Sequence, residues 1–514
     1  MMVRRVGGLA AAALAVLLWM SCGEVYRPVV IPTTNVPPNP ANFHAVFAIS
    51  DNVGYIKGAT QYFQGTALQI DVSGDSDIGV ANMGINPTHA AILPNDTRVF
   101  VASAGSLYPG DTDLVTSFTP ASDSSTATGL GTVLTTTLTP GSLPVYVATT
   151  QTDVVYVANY GSNSVSAIDA AMGTVNLTTA VGVHPVALVE LPNGQSLYSI
   201  NEGDNTLTNL STTDLTPVVP IPATIAVGNT PVWAVSRPDG QRIYVVTQGD
   251  GQLYTINTAT NAVVSSQSVG GPGANYVLYD TSLNRLYVTN PTAGTVYVFS
   301  AVTDPPTPMG TATGAISIPR PPIPATPPCS GGKCAYGPVM PVSVAALPDG
   351  SRFYVASYVT AAAGSPCPDP NVTAAGCLIP QVTVFDAANF YMDGQLVVKT
   401  TVFPILSPVA SPASGVQPFA LAPVPFCAPV TPYTPTSARF RMSAAASADG
   451  SRLYASLCDG GSIAIVNTTT NTIATGTNSA DTFVTDLIVP FSAEAPGANG
   501  EPPPQNPIFL LTGQ

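Results

Sequence analysis

Charged side chains are scarce in this sequence. Asp, Glu, Lys and Arg make up 9% of its 514 residues, against about 25% in an average soluble protein. The cations are the scarcer kind, 15 against 29 acidic residues, for a net charge of −14. A surface of that sign repels phosphate backbones, so nucleic acid is excluded as a partner. The acidity is spread thinly and forms no tail, which fits plain solubility. Apolar residues spaced at i, i+3, i+4 and i+7 are missing after residue 25, and with them any amphipathic helix. Histidine occurs only as His44, His89 and His184, and tryptophan only as Trp19 and Trp233. Two tryptophans and no ligand cluster argue against a quinone-dependent dehydrogenase. There is no Gly-x-Ser-x-Gly elbow, no His-Glu-x-x-His, no phosphate-binding loop and no paired-cysteine zinc pattern. Val, Thr, Ala, Ser, Gly and Pro fill the gap. β-Branched residues suit a pleated surface, and Gly and Pro supply turns. The expected fold class is all-β.

The start of the chain is an address. Arg4 and Arg5 precede an apolar run from Val6 to Met20, then Ser21-Cys22-Gly23. The run is too short to span a bilayer and has the charge pattern of an export signal. It resembles a bacterial lipoprotein signal, in which a small residue precedes the cysteine that becomes lipidated. Trp19 departs from that pattern, which has Leu three residues before the Cys. The resemblance implies a signal peptide over 1–22, a lipid anchor at Cys22 and an envelope location on the periplasmic side or the outer membrane. Residues 23–43 are Pro-rich and read as an extended tether.

Without Cys22, six cysteines remain: Cys329, Cys334, Cys367, Cys377, Cys427 and Cys458. An even number in an exported chain predicts disulfides. Proximity pairs Cys329 with Cys334 and Cys367 with Cys377, leaving Cys427 with Cys458, although sequence alone permits fifteen pairings. A zinc site is the rival, but no histidine lies near these cysteines in the sequence.

The repeat is the strongest signal. A turn followed by a hydrophobic–aromatic pair recurs as Pro192-Asn193-Gly194-Gln195-Ser196-Leu197-Tyr198, Pro238-Asp239-Gly240-Gln241-Arg242-Ile243-Tyr244, Pro348-Asp349-Gly350-Ser351-Arg352-Phe353-Tyr354 and Ala448-Asp449-Gly450-Ser451-Arg452-Leu453-Tyr454. Looser copies end at Phe47, Phe100, Tyr156 and Tyr287. Asn-Gly and Asp-Gly are turn signals because both residues tolerate positive φ. A second landmark, Gly-x-x-Pro before a short apolar strand, occurs at Gly84–Pro87, Gly141–Pro144, Gly182–Pro185, Gly228–Pro231 and Gly415–Pro418. Gly271-Pro272-Gly273-Ala274 breaks the pattern. Four short strands fit between successive landmarks in about 42 residues, which is the content of one propeller blade. The segments Tyr156–Val175, Leu253–Val264 and Ile463–Gly476 resemble the YVTN family of β-propeller repeat proteins. The expectation is a β-propeller of four-stranded antiparallel blades over 44–514, seven or eight in number. Insertions are expected at about 302–340, 361–379 and 423–441. Pro507-Ile508-Phe509-Leu510-Leu511 reads as a strand that could complete a blade begun at the N-terminus.

Most acidic residues, such as Asp239, Asp349 and Asp449, fall in turns; Glu190, Glu202 and Asp204 are exceptions. The resemblance places the Gly-x-x-Pro segment at the entry to the innermost strand, beside the central channel. His89 and His184 occupy equivalent places there. Asn86, Tyr146, Asn229, Trp233, Tyr276 and Gln417 join them as candidate channel-mouth residues; the alternative for Tyr146 and Trp233 is packing between blades. No catalytic, metal or cofactor-binding residue is assigned and no cofactor is expected. The expected function is a monomeric, envelope-anchored binding or scaffold module for a protein or glycan. The alternative is a lactonase-like or other metal-dependent hydrolase using the channel, which would need oxygen ligands converging on a cation.

Overall fold

In a computed structural model, the described strands form eight antiparallel blade sheets, seven of four strands and one of five, besides a two-stranded hairpin, with almost no helix among the described residues. The structure describes residues 45–51, 64–72, 75–108, 110–121, 130–150, 153–218, 223–321, 323, 327–368, 376–387, 391–392, 395–396, 400–404, 427, 440–468, 482–483 and 506–513. All lie in the unit Asn39–Gln514. The signal peptide, Cys22, the tether, His44 and Gln417 lie outside them, as does most of 423–441. No helix among the described residues is long and apolar enough to cross a membrane.

Each sheet is a blade. Blade 2 runs outward through Pro87–Ile92, Val99–Ala104, Asp113–Phe118 and Val133–Thr137. Blades 3, 4 and 5 repeat this order from innermost strands Pro144–Thr149, Pro185–Glu190 and Pro231–Ser236. Blade 6 starts at Tyr276–Asp280, blade 7 at Tyr336–Ala346 and blade 8 at Ala444–Ala446. Blade 1 is shared between the two ends of the chain. Pro507–Thr512 is its innermost strand and pairs antiparallel with Ala45–Ser50. The innermost strands of successive blades are neighbours around the ring, and Pro507–Thr512 lies between those of blades 8 and 2.

The aromatic landmark explains the packing. Tyr156, Tyr198, Tyr244, Tyr287, Tyr354, Tyr454, Phe47 and Phe100, one per blade, are among the largest fully buried side chains. Burying such a side chain contributes roughly 1.5–3 kcal/mol. A buried hydroxyl must also find a partner. Tyr156 donates to the Thr212 oxygen at 2.8 Å, and Tyr198 to Asn261 Oδ1 at 2.6 Å, each reaching the next blade. Tyr454 donates to Asp75 Oδ1 at 3.2 Å, and Arg452 Nε donates to the same carboxylate at 3.0 Å. That pair ties blade 8 to blade 1. The preceding turns hold themselves: Asp239, Asp349 and Asp449 accept the amides of Gln241, Ser351 and Ser451 at 2.9–3.0 Å. Gly240, Gly350 and Gly450 follow with φ of 68–69°, a region that costs glycine little.

Two disulfides are formed, Cys329–Cys334 and Cys427–Cys458. The expected Cys367–Cys377 bond is not. The hydrogen bonds give the reason. The Cys377 carbonyl accepts the Ala361 amide at 2.9 Å, which holds it in the ladder of blade 7. The loop bearing Cys367 instead docks on the neighbouring disulfide turn: Ala335 N–H donates to Ser365 Oγ at 3.0 Å, and Cys334 Sγ lies 3.7 Å from the Pro366 oxygen.

Candidate functional site: the axial channel

The Gly-x-x-Pro landmark acts through a β-bulge. In blades 2 to 5 the register slips between the proline and the second residue after it, so that Pro87, Pro144, Pro185 and Pro231 each begin a bulge. The same slip occurs after Pro341 and Pro507. A bulge re-aims a side chain, and here the second residue after the proline turns toward the rings of other blades. The residue before the proline has positive φ at Asn86, Leu143, His184 and Thr230. Its carbonyl accepts an amide from the last residue of the next strand or the one just beyond it, for example Glu202 N–H on His184 at 2.9 Å.

The re-aimed residues meet. His89 stacks on Tyr146 with ring centres 3.9 Å apart. Trp233 packs edge-on against Tyr146 at 5.5 Å and lies 5.2 Å from Tyr276. Phe440 touches Trp233 and Tyr276 at 5.6 and 5.8 Å, and Phe509 reaches His89 at 4.6 Å. Six rings from blades 1, 2, 3, 5, 6 and 8 therefore fill the space between the innermost strands. Burial lowers the His89 pKa to about 3, so the ring is neutral. Its Nδ1 lies 3.1 Å from the Val147 oxygen and 3.4 Å from the Val147 amide nitrogen, and the ring's tautomer sets which of the two it engages. Burial also pushes Tyr276 up to about 12 and Tyr146 higher still.

Four of the expected residues thus come together: His89, Tyr146, Trp233 and Tyr276. Asn86, His184 and Asn229 do not join them. Asn86 is buried and donates Nδ2–H to the Ala104 oxygen at 3.0 Å, while Asn229 is exposed. His89 and His184 are not equivalent after all. His89 follows its proline by two residues and His184 precedes its own, so the bulge turns only His89 inward. His184 stacks on Tyr160 at 4.3 Å instead. Two rings were missed. Phe509 stands second after Pro507 and repeats the Pro-x-aromatic spacing of Tyr146 and Trp233, so a signal existed. Phe440 carried none, because Arg441 occupies the proline position of its blade.

Two residues further along the same strands Ala148, Val235 and Leu278 stand in place of the rings of Tyr146, Trp233 and Tyr276, and the channel opens. A cavity of about 400 Å³ is lined by residues 148–149, 188–190, 234–236, 278–279 and 281 at the ends of four consecutive innermost strands. That size suits a small ligand or a protruding side chain. Among the described residues Glu190 is its one carboxylate. Burial raises the Glu190 pKa to about 7, and Oε1 is buried without a hydrogen-bond partner. Glu202 lies at the other end of blade 4, where burial raises it to about 7 against the Tyr160 hydroxyl, which donates to it at 3.4 Å. Glu190 pairs across the ladder near Leu197 and Pro185 near Asn201, so Glu190 is separated from Glu202 and Asp204 by the length of the strand. Among the described residues no three His, Cys, Asp or Glu side chains gather where they could hold a metal.

The chain is an eight-bladed, all-β propeller with an aromatic plug in its channel. No family model matches it, and no curated protein does. Among solved structures it is similar to the periplasmic gluconolactonase of Pseudomonas aeruginosa, at 18% identity and TM-score 0.41, covering 63% of this chain and 93% of that one. It is similar to a Bacteroides fragilis protein provisionally named a 6-phosphogluconolactonase, at 13% identity and TM-score 0.46, covering 71% and 96%. Hydrazine synthase of Kuenenia stuttgartiensis is matched at 16% identity and TM-score 0.40, covering 65% and 78%. At such identities and scores the likeness carries no activity over to this chain.

Proposed function

We propose that the protein is an exported, lipid-anchored propeller of the YVTN type that binds a protein or glycan partner in the cell envelope. The partner enters the cavity beneath the aromatic plug. The observation that carries this reading is the cavity itself: a largely open space of about 400 Å³ shared by four blades, with one half-buried carboxyl group at its wall. Rigid scaffolds present binding surfaces in this way. Export is supported by the signal-like N-terminus and by the two disulfides. A binding role is favoured over metal-dependent hydrolysis because Glu190 stands apart from Glu202 and Asp204.

The test fills the cavity. Ser236→Trp, at a partly exposed position, is expected to abolish partner binding while leaving the melting temperature within about 2 °C of the parent, as surface substitutions generally do. Full binding by a folded Ser236→Trp variant refutes the reading. Chelator-sensitive turnover of lactones by the mature domain would favour the hydrolase instead. Cys22→Ala is expected to release the protein from membranes; unchanged fractionation removes the anchor from the proposal.

A further inference from the structure

The chemistry of the cavity wall restricts what can enter it. Its apolar part is Ala148, Leu188, Val189, Ala234, Val235 and Leu278. Two of its hydroxyls are already committed: Thr149 Oγ1 donates to the Ile92 oxygen at 2.5 Å, and Tyr279 donates to Asn284 Oδ1 at 3.0 Å. Among the described residues the lining holds no Lys, Arg, Asn or Gln. A sugar brings many hydroxyls, and each loses free energy on burial unless a partner receives it. This wall offers few. An anion would meet Glu190 with no compensating cation. Arg237, next to the lining residue Ser236, is held by Asp239 through contacts of 2.8 Å at both Nε and Nη2.

Asp280, between the lining residues Tyr279 and Thr281, accepts from the Ser282 and Tyr287 hydroxyls; the remaining titratable groups described near the site are tyrosines. Tyr156 feels the Glu190 charge and is pushed up to about 12, chiefly by burial. Tyr279, on the opposite wall, is pushed up to about 12 by burial, with Tyr244, Arg237, Asp239 and Asp280 acting on it more weakly. Both stay neutral at physiological pH and would ionise only to anions, so neither can serve Glu190 as a counter-ion. The complement of one carboxylate set in an apolar wall beside a tyrosine ring is a single cationic head on an apolar stem. The net charge of −14 draws such a group in.

We infer that the cavity receives a primary ammonium group on an unbranched apolar stem, the lysine side chain of a protein partner, with Glu190 as its counter-ion. This rests on the cavity being the partner site proposed above. Free Glu190 is about half protonated near pH 7. An ammonium beside it favours the carboxylate, so binding converts Glu–COOH and R–NH3+ into the ion pair and one proton released to the buffer. Affinity therefore rises with pH.

The test is calorimetric titration of the mature protein with Nα-acetyl-lysine amide at pH 5.5, 7.0 and 8.5, in buffers of different ionisation heat. A group titrating near 7 predicts affinity about 30-fold higher at pH 8.5 than at pH 5.5. It also predicts close to one proton released per ligand at pH 5.5. Glu190→Gln, which keeps the shape, is expected to weaken binding at pH 8.5 at least about tenfold and to flatten the pH dependence. Equal binding of Nα-acetyl-norleucine amide, a pH-independent affinity, or an unaffected Glu190→Gln variant overturns the inference. Glucosamine binding in place of the lysine probe overturns it too and moves the cation to a glycan. In each of these cases Ser236→Trp still blocks the partner if the cavity is the partner site; if it does not, the underlying reading has failed as well.

Discussion

Closure of the ring depends on the strand Pro507–Thr512, and Leu510 is the residue with which to test it. Leu510 is 4% exposed. It packs among Val46, Leu68 and Ile70 of blade 1 and Tyr454, Ile463 and Ile465 of blade 8. Its neighbours Phe509 and Leu511 face the other way, onto Ala90, Ile92, Val99 and Val101 of blade 2. Leu510→Ala removes three carbons, worth about 2.4 kcal/mol at about 0.8 kcal/mol each. The cavity left behind brings the expected cost to roughly 3–5 kcal/mol. Leu177→Ala, at a 44% exposed position on the outer edge of blade 3, is the control and should cost under about 0.5 kcal/mol. Urea unfolding gives the size. With a slope of at least about 3 kcal/mol/M for a chain of this length, the midpoint should fall by up to about 1.7 M.

Hydrogen exchange gives the location of the damage. The loss should appear first as faster exchange in Ala45–Ser50 and Arg452–Leu457, which flank the closing strand, while blades 4 and 5 stay protected. Exchange that rises evenly around the ring, or a Leu510→Ala midpoint no different from that of Leu177→Ala, refutes the closure argument.

Other outcomes follow from single contacts. Tyr198→Phe should cost about 1–2 kcal/mol in chemical unfolding, because the lost hydroxyl donates to Asn261 and accepts from Asn209 Nδ2 at 2.9 Å. Cys458→Ala should cost about 4 kcal/mol by the loop-entropy account, since Cys427 and Cys458 close a loop of 31 residues. The domain from residue 44 onward, denatured without reductant, should titrate two thiols, Cys367 and Cys377; zero would restore the third disulfide. His89, with its folded pKa below its unfolded one, binds fewer protons in the folded state. Its contribution is complete above about 6.5 and is lost as the pH falls toward 3, so His89→Phe should flatten the acid side of a stability profile measured from pH 3 to 7. Glu190 is shifted upward, so the stability it supports is present below about 4.5 and is lost as the pH rises through 7; Glu190→Gln should remove that slope.

What the sequence disclosed and what it withheld have one physical cause. A blade can bury its faces only against copies of itself, so the residues that make it must recur. Tyr156, Tyr198, Tyr244 and Tyr454 are legible because each is required in every copy, and their turns recur for the same reason. The channel obeys the opposite rule. One position per blade, the second after the proline, points to a common axis, and eight identical large rings could not share that space. The series is therefore uneven: His89, Tyr146, Ala187, Trp233, Tyr276, Ser343, Ser443 and Phe509. The small members let neighbouring inner strands close up, as where the Ala444 amide reaches Ser343 Oγ at 3.2 Å. Periodicity locates this position but cannot say which copies carry rings, nor that Glu190, at the far end of one strand, faces a cavity made by three other blades. The bulge is the link between the two. Reading it as a geometric device, and not merely as a Pro-containing strand start, separates His89 from His184 and brings Phe509 into the plug; Phe440, outside the repeat position, stays invisible until blade 8 is folded against blade 1.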